Sequence, residues 1–332
     1  MNIQIYKDPL EKTLKNKIKK IKFALSIKRY LFNFFNFYKH FIKILNLIKI
    51  NKLCRFGIIN SFYYDLSAFK YYLTKNVEYY LVTSKDPQIS KAIVSNNNDR
   101  KKQIQRIENF KKICMKKNHK ITNIIDVGAS IGNVIIPAIN RKIFERGIAY
   151  EPVKENFKLL KINTILNNLQ DYIEINQCAI GEKDNLIVEI EISKYDIGDH
   201  RIRYGEYKGL FNEQLRQIDK VKSNTLDTLL KNVQMDTFAI WLNNQGSEAH
   251  AISGAKKILK KYGNPLFLEF SPYYIKNSNS FKLLKNTLIE VGYKNVFNCD
   301  NENKIGEVEE EFFDEEYVKL GEKGNYTNYI IT

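Results

Sequence analysis

The apolar positions downstream of Ile121 form short runs that alternate with segments of helical spacing. Short continuous apolar runs are typical of strands buried on both faces, whereas recurrence every three or four residues is typical of helices. Because the two patterns alternate, they predict an α/β fold with a doubly wound, mostly parallel sheet. The predicted strands are Ile124–Val127, Ile148–Tyr150, Tyr172–Ala179, Phe238–Leu242 and Leu266–Phe270.

Helices are predicted between these strands and towards the end of the chain. The expected helical segments follow Glu151, cover Ala251–Leu259, and cover Phe281–Val291 with a stop at Gly292. Pro137 is expected to kink the helix that follows the first strand. The remaining expectations are a loop or solvated edge over Glu307–Glu316 and a closing strand over Tyr326–Ile331.

The first 120 residues have a different pattern. Residues 12–50 alternate lysines with large apolar residues that share one helical face. Two interpretations stay open: a helix on an anionic membrane surface, or a helix packed on the protein's own body or on a second subunit. We therefore predict a basic helical extension over residues 1–56 and an accessory region of helices and loops over 57–120. Within that region Asn96–Asn98 is expected to be a loop and Arg100–Lys120 a helix.

The net charge of +16 is concentrated in the extension. Residues 1–56 contain 14 Lys or Arg against Asp8 and Glu11, which leaves an excess of only 4 for the remaining 276 residues. A domain that binds nucleic acid carries its basic face on its body. The distribution therefore argues against a nucleic-acid partner and is compatible with peripheral membrane contact through residues 1–56.

The cysteines and the apolar runs define the expected compartment. The four cysteines lie far apart, with no CxxC pair, which argues against a disulfide framework and against a zinc site. No uncharged apolar run approaches the ~20 residues that span a bilayer, and the N-terminus lacks a secretory signal pattern. We expect a cytoplasmic protein without a metal.

A glycine turn follows the first predicted strand and carries the candidate cofactor chemistry. Asp126 ends that strand, and Gly128, Ala129, Ser130 and Gly132 form the turn before an apolar helix. Glycines let backbone N–H groups approach a ligand closely. The spacing is GxxxG with Ser130 in the place of the middle glycine of the dinucleotide fingerprint, so a pyrophosphate is not expected.

An acidic residue follows the second predicted strand. Glu151 lies 23 residues after Gly128, and a carboxylate at this position can accept both ribose hydroxyls of a nucleoside. Ala179, at the end of the third strand, completes the predicted cofactor set. The turn alone is also compatible with a purely structural role, but its combination with Glu151 favours cofactor binding.

These segments resemble the FkbM-type methyltransferases. The resemblance covers about residues 121–300 and leaves the first 120 residues outside. It implies a class I methyltransferase fold, S-adenosylmethionine as cofactor, and methylation of a hydroxyl, often on a sugar or another natural-product scaffold. The segments that carry it are Asp126–Gly132, Glu151-Pro152, Thr225–Asp227, Trp241–Glu248 and Pro265–Glu269.

The chain departs from the family pattern after the fourth strand. The family usually has an aspartate where this chain has Asn243, and an amide cannot act as a base. Asn243 is therefore either a hydrogen-bonding replacement or a sign of reduced activity. Gln245, Glu248 and Glu269 are the predicted substrate-side residues, and structural roles for the two carboxylates stay open.

A short polar stretch between the third and fourth strands carries the predicted base. His200 is expected to take the proton of the acceptor hydroxyl, Asp199 to orient its ring, and Arg201 to hold an anionic part of the substrate. A similar stretch recurs in the family that this chain resembles. The alternative is that these three residues form an ordinary polar loop without a catalytic role.

The leading hypothesis is thus an S-adenosylmethionine-dependent O-methyltransferase with a sugar, glycan or related small-molecule acceptor. Two other hypotheses stay open. The net charge suggests an RNA methyltransferase, and Asn243 suggests a weakened methyltransferase fold that binds without turnover. The sequence leaves the oligomeric state open.

Overall fold

A computed structural model describes residues 62–66, 71–75, 78–84, 97–118, 120–205 and 209–332. The predicted basic extension over residues 1–56 lies outside the described residues. Residues Tyr63–Thr332 form one compact unit. Across the described ranges, every helix falls short of the length and apolar character that a bilayer crossing requires.

The described strands come in three sheets. Their bounds are β1 (Phe62–Leu66), β2 (Tyr71–Lys75), β3 (Tyr80–Ser84), β4 (Asn123–Val127), β5 (Arg146–Tyr150), β6 (Ile173–Asn176), β7 (Ala179–Ile180), β8 (Leu186–Ile192), β9 (Arg201–Ile202), β10 (Gln217–Asn224), β11 (Phe238–Leu242), β12 (Leu266–Phe270), β13 (Asn295–Asn298), β14 (Lys304–Glu307) and β15 (Thr327–Ile331).

Helices separate most of these strands. The described α-helices are α1 (Asn97–Lys117), α2 (Ile135–Asn140), α3 (Lys154–Leu166), α4 (Leu226–Leu229), α5 (Glu248–Ser253), α6 (Lys256–Tyr262), α7 (Pro272–Asn277), α8 (Phe281–Val291) and α9 (Glu310–Leu320). Short 3-10 turns cover Glu213–Leu215 and Met235–Thr237.

The main sheet has eight strands in the order β14-β13-β15-β12-β11-β4-β5-β6. Strands β12, β11, β4, β5 and β6 pair in parallel, and β15 runs antiparallel between β12 and β13. The predicted mostly parallel sheet is therefore confirmed. Because parallel strands end at one edge, the turns after β4, β5, β11 and β12 meet at the same edge.

Alternate residues of the strands bury into two cores, one on each face of the sheet. On β4, Ile124 belongs to one core and Ile125 to the other. On the first face, Trp241 of β11 stacks on Phe267 of β12, and Phe110 of α1 packs edge-on against both. The helices on both faces confirm the doubly wound arrangement.

Two predicted elements are each divided in the structure. The stretch Tyr172–Ala179 is not one strand, because β6 ends in the main sheet and β7 pairs with β10 in a four-stranded sheet of order β7-β10-β8-β9. The apolar spacing over Ala251–Leu259 comes from two helices, α5 and α6, which are separated at Gly254 and Ala255. A Cβ on Gly254 would lie 2.0 Å from the carbonyl oxygen of Gly181, so β7 packs directly against this break.

The accessory region is not made only of helices and loops. Strands β1, β2 and β3 form a three-stranded sheet. Asn163 of α3 accepts from the Val82 N–H at 2.6 Å and donates to the Val82 carbonyl at 3.1 Å, and Asn167 pairs in the same way with Tyr80. These side-chain amides satisfy backbone N–H and C=O groups on the free edge of β3. The local sequence pattern does not reveal such long-range pairing.

Three further expectations are corrected. Helix α1 begins at Asn97, within the predicted loop, because asparagine and aspartate suit a first helical turn as well as a loop. Helix α9 occupies much of the acidic run, with Glu310 and Glu311 at its positive end and Phe313 buried. Pro137 lies in the first turn of α2, where a backbone N–H has no hydrogen-bond partner within the helix. The proline therefore removes no helical hydrogen bond there.

Candidate active site

The turn after β4 is held against the neighbouring strands. The backbone N–H groups of Gly128 and Ala129 both donate to the Tyr150 carbonyl, at 3.0 and 3.1 Å. Gly128 has a φ of +84°, and a Cβ there would lie 2.2 Å from the carbonyl oxygen of Asn243. Only glycine satisfies both conditions, so this turn brings the ends of β4, β5 and β11 together.

The second half of the turn presents a backbone donor to Glu151. Ser130 adopts a left-handed φ of +50°, and its N–H donates to Glu151 Oε2 at 2.8 Å. The other carboxylate oxygen accepts from the Val153 N–H at 2.8 Å. Each oxygen keeps a second lone pair. Burial raises the pKa of Glu151 to about 7, although these two donors lower it.

A cavity lies over this turn, and its walls surround about 540 Å³ of space, including some open to solvent. Glu151 lines it beside Ser130 and Asn156, and Ala179 lies on its apolar side with Cys178 and Ile180. The predicted cofactor residues Gly128, Ser130, Glu151 and Ala179 therefore meet in one place. We call this space the cofactor cavity.

His200 lines the cofactor cavity, but Asp199 does not orient it. The His200 Nδ1 accepts a hydrogen bond from the Ser193 N–H at 3.0 Å. In the neutral ring this leaves the proton on Nε2, which makes that nitrogen a donor. Burial, with a smaller effect of Arg216, lowers the pKa of His200 to about 4. The geometry therefore argues against His200 as the base.

Asp199 and Arg201 belong to a buried ion-pair network. The Asp199 carboxylate pairs with the guanidinium groups of Arg201 and Arg216. Arg201 also donates to Glu213 Oε1 at 3.1 Å, and its side chain is only 3% exposed. Both charges of Arg201 and Asp199 are already matched inside the protein, so the network fixes the segment that carries His200. The expectation that Arg201 binds a substrate anion is not supported, because its guanidinium already pairs with Asp199 and Glu213.

A second cavity, open and about 2730 Å³ in volume, adjoins the first. Gly128, Ser130, Gly198, Asn243 and Gln245 line both cavities. Asp126, Ala129 and Glu269 line only this second one, which we call the acceptor cavity.

Glu269, the penultimate residue of β12, is held by the amides of Asn243 and Gln245, two residues that line both cavities. Asn243 Nδ2 donates to Glu269 Oε2 and Gln245 Nε2 donates to Glu269 Oε1, both at 3.2 Å. Gln245 Nε2 also donates to Asn243 Oδ1 at 2.8 Å. Burial and then the charge of Glu248 raise the pKa of Glu269 to about 8. Asn243 thus orients a carboxylate that titrates near neutrality.

Glu248 faces the backbone and lines neither cavity among the described residues. Its carboxylate accepts from the N–H groups of Asn244 and Gly246, both at 2.8 Å. Burial raises the pKa of Glu248 to about 7 against these donors. The contacts give Glu248 an architectural function at the start of α5, where its charge also suits the helix dipole.

Asp126 is the most deeply buried carboxylate of the acceptor cavity, at 1% exposure. Its Oδ2 has no hydrogen-bond partner in the described part of the chain. Burial raises the pKa of Asp126 to about 7, the Ile135 N–H lowers it, and the Glu151 charge raises it further. Gly132 does not line either cavity; a Cβ there would lie 2.6 Å from Ile136 Cγ1, so it serves helix packing.

Sequence reasoning missed residues that belong to no motif. Asn156 lines the cofactor cavity and donates to the Ile197 carbonyl at 2.9 Å, which ties α3 to the His200 segment. Tyr274 lines the acceptor cavity, and the Arg201 guanidinium carbon lies 4.6 Å from its ring centroid. Arg100 of α1 lines the acceptor cavity as well. These side chains come from distant segments, so only the folded chain brings them together.

Comparisons with solved structures give distant likenesses. A methyltransferase FkbM from Methylobacillus flagellatus is 16% identical over 64% of this chain and 44% of its own, with a TM-score of 0.38. The B. subtilis M1A22 tRNA methyltransferase TrmK is 12% identical over 68% of this chain and 64% of its own, with a TM-score of 0.35. P. horikoshii TYW2, in complex with MeSAdo, is 10% identical over 79% of this chain and 70% of its own, with a TM-score of 0.37.

The family comparison is more direct. This chain spans less than half the length of the first of those structures. No curated protein sequence matches it. The family model for the methyltransferase FkbM domain matches residues 126–311, more than half of the chain. The matched residues include most of the doubly wound, mostly parallel sheet. The chain therefore belongs to the FkbM methyltransferase family.

Proposed function

We propose that this protein transfers a methyl group from S-adenosylmethionine to a hydroxyl of a sugar, a glycan or a related small molecule. One observation carries the proposal: the cofactor cavity adjoins a larger cavity, and Gly128, Ser130 and Asn243 line both. A ligand in each cavity would meet its neighbour at these shared residues, and Asn243 donates to Glu269.

The residues around the cofactor cavity fit this cofactor. S-adenosylmethionine supplies an electrophilic methyl group on a sulfonium and carries a nucleoside. Glu151 presents two free lone pairs for the ribose hydroxyls, and Cys178, Ala179 and Ile180 offer an apolar surface for the base. Asp126 lies on the acceptor side of the same turn, and its buried Oδ2 has no hydrogen-bond partner among the described residues. A cationic ligand nearby would favour its ionised form.

The acceptor cavity supplies the groups for a hydroxyl nucleophile. Glu269 holds its carboxylate towards this cavity with one amide donor on each oxygen, so each oxygen can still accept a proton. Bound S-adenosylmethionine would supply the methyl group to an acceptor hydroxyl, and Glu269 would take the proton of that hydroxyl on a carboxylate oxygen. A base whose pKa lies near neutral pH suits such a transfer.

The roles of Asn243 follow from the same geometry. Its amide replaces an acid of the family pattern, yet it donates to Glu269 and accepts from Gln245. A carboxylate in that position would repel Glu269 unless one of the two groups were protonated. We propose that Asn243 positions the base, so that the replacement is compatible with turnover.

The test is methyl transfer from labelled S-adenosylmethionine to a panel of monosaccharides, sugar acids and sugar phosphates. We expect a labelled sugar ether with at least one acceptor. Cofactor binding without transfer to any acceptor or to cell-extract glycans would support a binding protein instead. Transfer to RNA alone would contradict the sugar hydroxyl.

We further propose that the enzyme works in the cytoplasm on polysaccharide precursors, near the membrane surface. The described cysteines Cys114, Cys178 and Cys299 are buried free thiols, which fits a reducing compartment. Each Lys or Arg near an anionic surface contributes ~1 kcal/mol, and residues 1–56 hold most of the excess charge. Full-length protein should therefore sediment with anionic liposomes at low salt, and a chain that starts near Ser61 should not. Equal sedimentation of both would contradict the membrane contact.

A further inference from the structure

Arg100 of α1 is a half-buried cation that lines the acceptor cavity. Its Nε and Nη1 are inaccessible to solvent and have no hydrogen-bond partner among the described residues. The guanidinium stays charged at every physiological pH. Polar groups that are withdrawn from water without a hydrogen-bond partner destabilise a protein, so the state of these two nitrogens calls for a reason.

The neighbouring cations of α1 show that Arg100 is unusual. Lys102 and Arg106 also line the acceptor cavity, but both pair with Asp300, at 3.4 and 2.5 Å. Lys112 pairs with Glu302 at 2.9 Å. These three side chains are paired with carboxylates of the described chain, whereas two nitrogens of Arg100, beside the cavity, are not. An anionic ligand in the cavity would supply the guanidinium with a partner.

Other residues that line the same cavity also hold buried atoms without a hydrogen-bond partner in the described ranges. Trp241 Nε1 is such a donor, and Asn133 Oδ1 is such an acceptor. A molecule with several hydroxyls would satisfy donors and acceptors of this kind together. The acceptor cavity thus combines sites for hydroxyls with one site for an anion.

We propose that the acceptor is an acidic sugar, whose carboxylate or phosphate pairs with Arg100 while a hydroxyl faces Glu269. This inference rests on the proposed function, because it assigns the larger cavity to the acceptor. The fork of the guanidinium matches either anion in a two-bond geometry. A neutral sugar would leave the charge of Arg100 unpaired.

The first test needs no ligand. Replacement of Arg100 by an apolar side chain removes the desolvation penalty of its two unpaired nitrogens, so Arg100→Met should raise the Tm of the free protein by about 2–4 °C. Lys102→Met is the matched control, since it removes a paired cation from the same cavity and should not raise Tm. A lower Tm for Arg100→Met would show a structural partner and overturn the inference.

The second test is calorimetry on the full-length protein saturated with S-adenosylhomocysteine, at constant ionic strength. The probes are glucose, glucuronate and glucose 6-phosphate, which share a ring and separate the neutral, carboxylate and phosphate cases. We expect at least one acidic probe to bind ~10- to 100-fold more tightly than glucose, the range of a charge-assisted bond. Arg100→Met should remove that preference and Lys102→Met should keep it.

Two results would overturn the inference. Equal affinity for glucose and both acidic probes, or no detectable binding of any probe, would show that Arg100 does not select an anion here. An equal loss in both variants would show a general charge effect. Failure of the proposed function is a separate outcome, because it would appear as absent binding of S-adenosylhomocysteine in the same titration.

Discussion

The two cavities differ in how far the protein satisfies their polar groups. In the cofactor cavity, Glu151, Asn156 and His200 all have partners, and Asn244 Oδ1 is an exception. In the acceptor cavity, buried atoms of Asn133, Arg100 and Trp241 have no partner within the described ranges. A site whose side chains are fixed in advance loses little entropy on binding. The comparison indicates a preorganised cofactor site beside an acceptor site that its ligand completes.

The largest effect is expected at Glu269, which belongs to the acceptor side. Glu269→Gln should lower kcat by ~100- to 10,000-fold, because the amide cannot take the hydroxyl proton. Cofactor affinity should change little. Radiolabel transfer at saturating acceptor measures the first and calorimetry the second. Glu290→Gln is a suitable control, since Glu290 is an exposed partner of Lys256 and Lys260.

If Glu269→Gln lost cofactor affinity by the same factor as kcat, the assignment of separate roles to the two cavities would be contradicted. The pH dependence of kcat separates a base from a structural residue, because loss of a merely structural residue would leave the shape of that profile unchanged. With Glu269 as the base, kcat should rise as pH increases through about 8 and then level off. The profile of Glu269→Gln should lack that rise.

A smaller effect is expected from pH on cofactor binding. Asp126 and Glu151 each have a pKa raised to about 7, mainly by burial. Since a cation binds best to the ionised carboxylates, affinity for S-adenosylmethionine should increase about tenfold from pH 6 to 8. S-adenosylhomocysteine lacks the sulfonium charge and should show a weaker dependence. Calorimetry that finds constant or falling affinity would contradict the charge-based fit.

The same raised pKa values set the pH dependence of stability. The folded state holds protons on these carboxyls at pH values where the unfolded chain has lost them. The free energy of unfolding should therefore fall as pH rises from about 5 to 8. Thermal melts of the free protein measure this, and bound S-adenosylmethionine should reduce the decline.

The smallest effect is expected at His200. His200→Asn keeps an acceptor for the Ser193 N–H, so kcat should fall less than tenfold, below the ~100-fold or more of a lost base. Turnover at saturating acceptor measures this. A drop of 100-fold with unchanged cofactor affinity would restore His200 as the base and remove Glu269 from that role.

The sequence predicted the parts of the site that depend on local pattern. Apolar runs located β4, β5, β11 and β12, and the glycine spacing with Glu151 located the turn over the cofactor cavity. The partners of His200 and Arg201 could not be predicted in this way. Asp199 is next to His200 in sequence, yet its carboxylate pairs with Arg201 and with the distant Arg216.

Tertiary pairing also explains the missed acceptor residues. Arg100 lies in a basic helix whose charges look equivalent in sequence, and only the fold shows that Lys102 and Arg106 share Asp300 while Arg100 has no such partner. Likewise, Asn243 looks like a lost acid until Glu269 is seen beside it. Residues that act through distant neighbours leave no spacing signal along the chain.

The most direct test of the central claim is calorimetric binding of S-adenosylmethionine to the wild type, Glu151→Ala and Glu155→Ala. Glu151 lines the cofactor cavity, whereas Glu155 is an exposed glutamate four residues later that pairs with Lys158. We expect Glu151→Ala to weaken binding by ~1.5–3 kcal/mol, about 10- to 100-fold, and Glu155→Ala to bind like the wild type. Equal affinity of all three folded proteins, or no binding by the wild type, would contradict the assignment of this cavity to the cofactor.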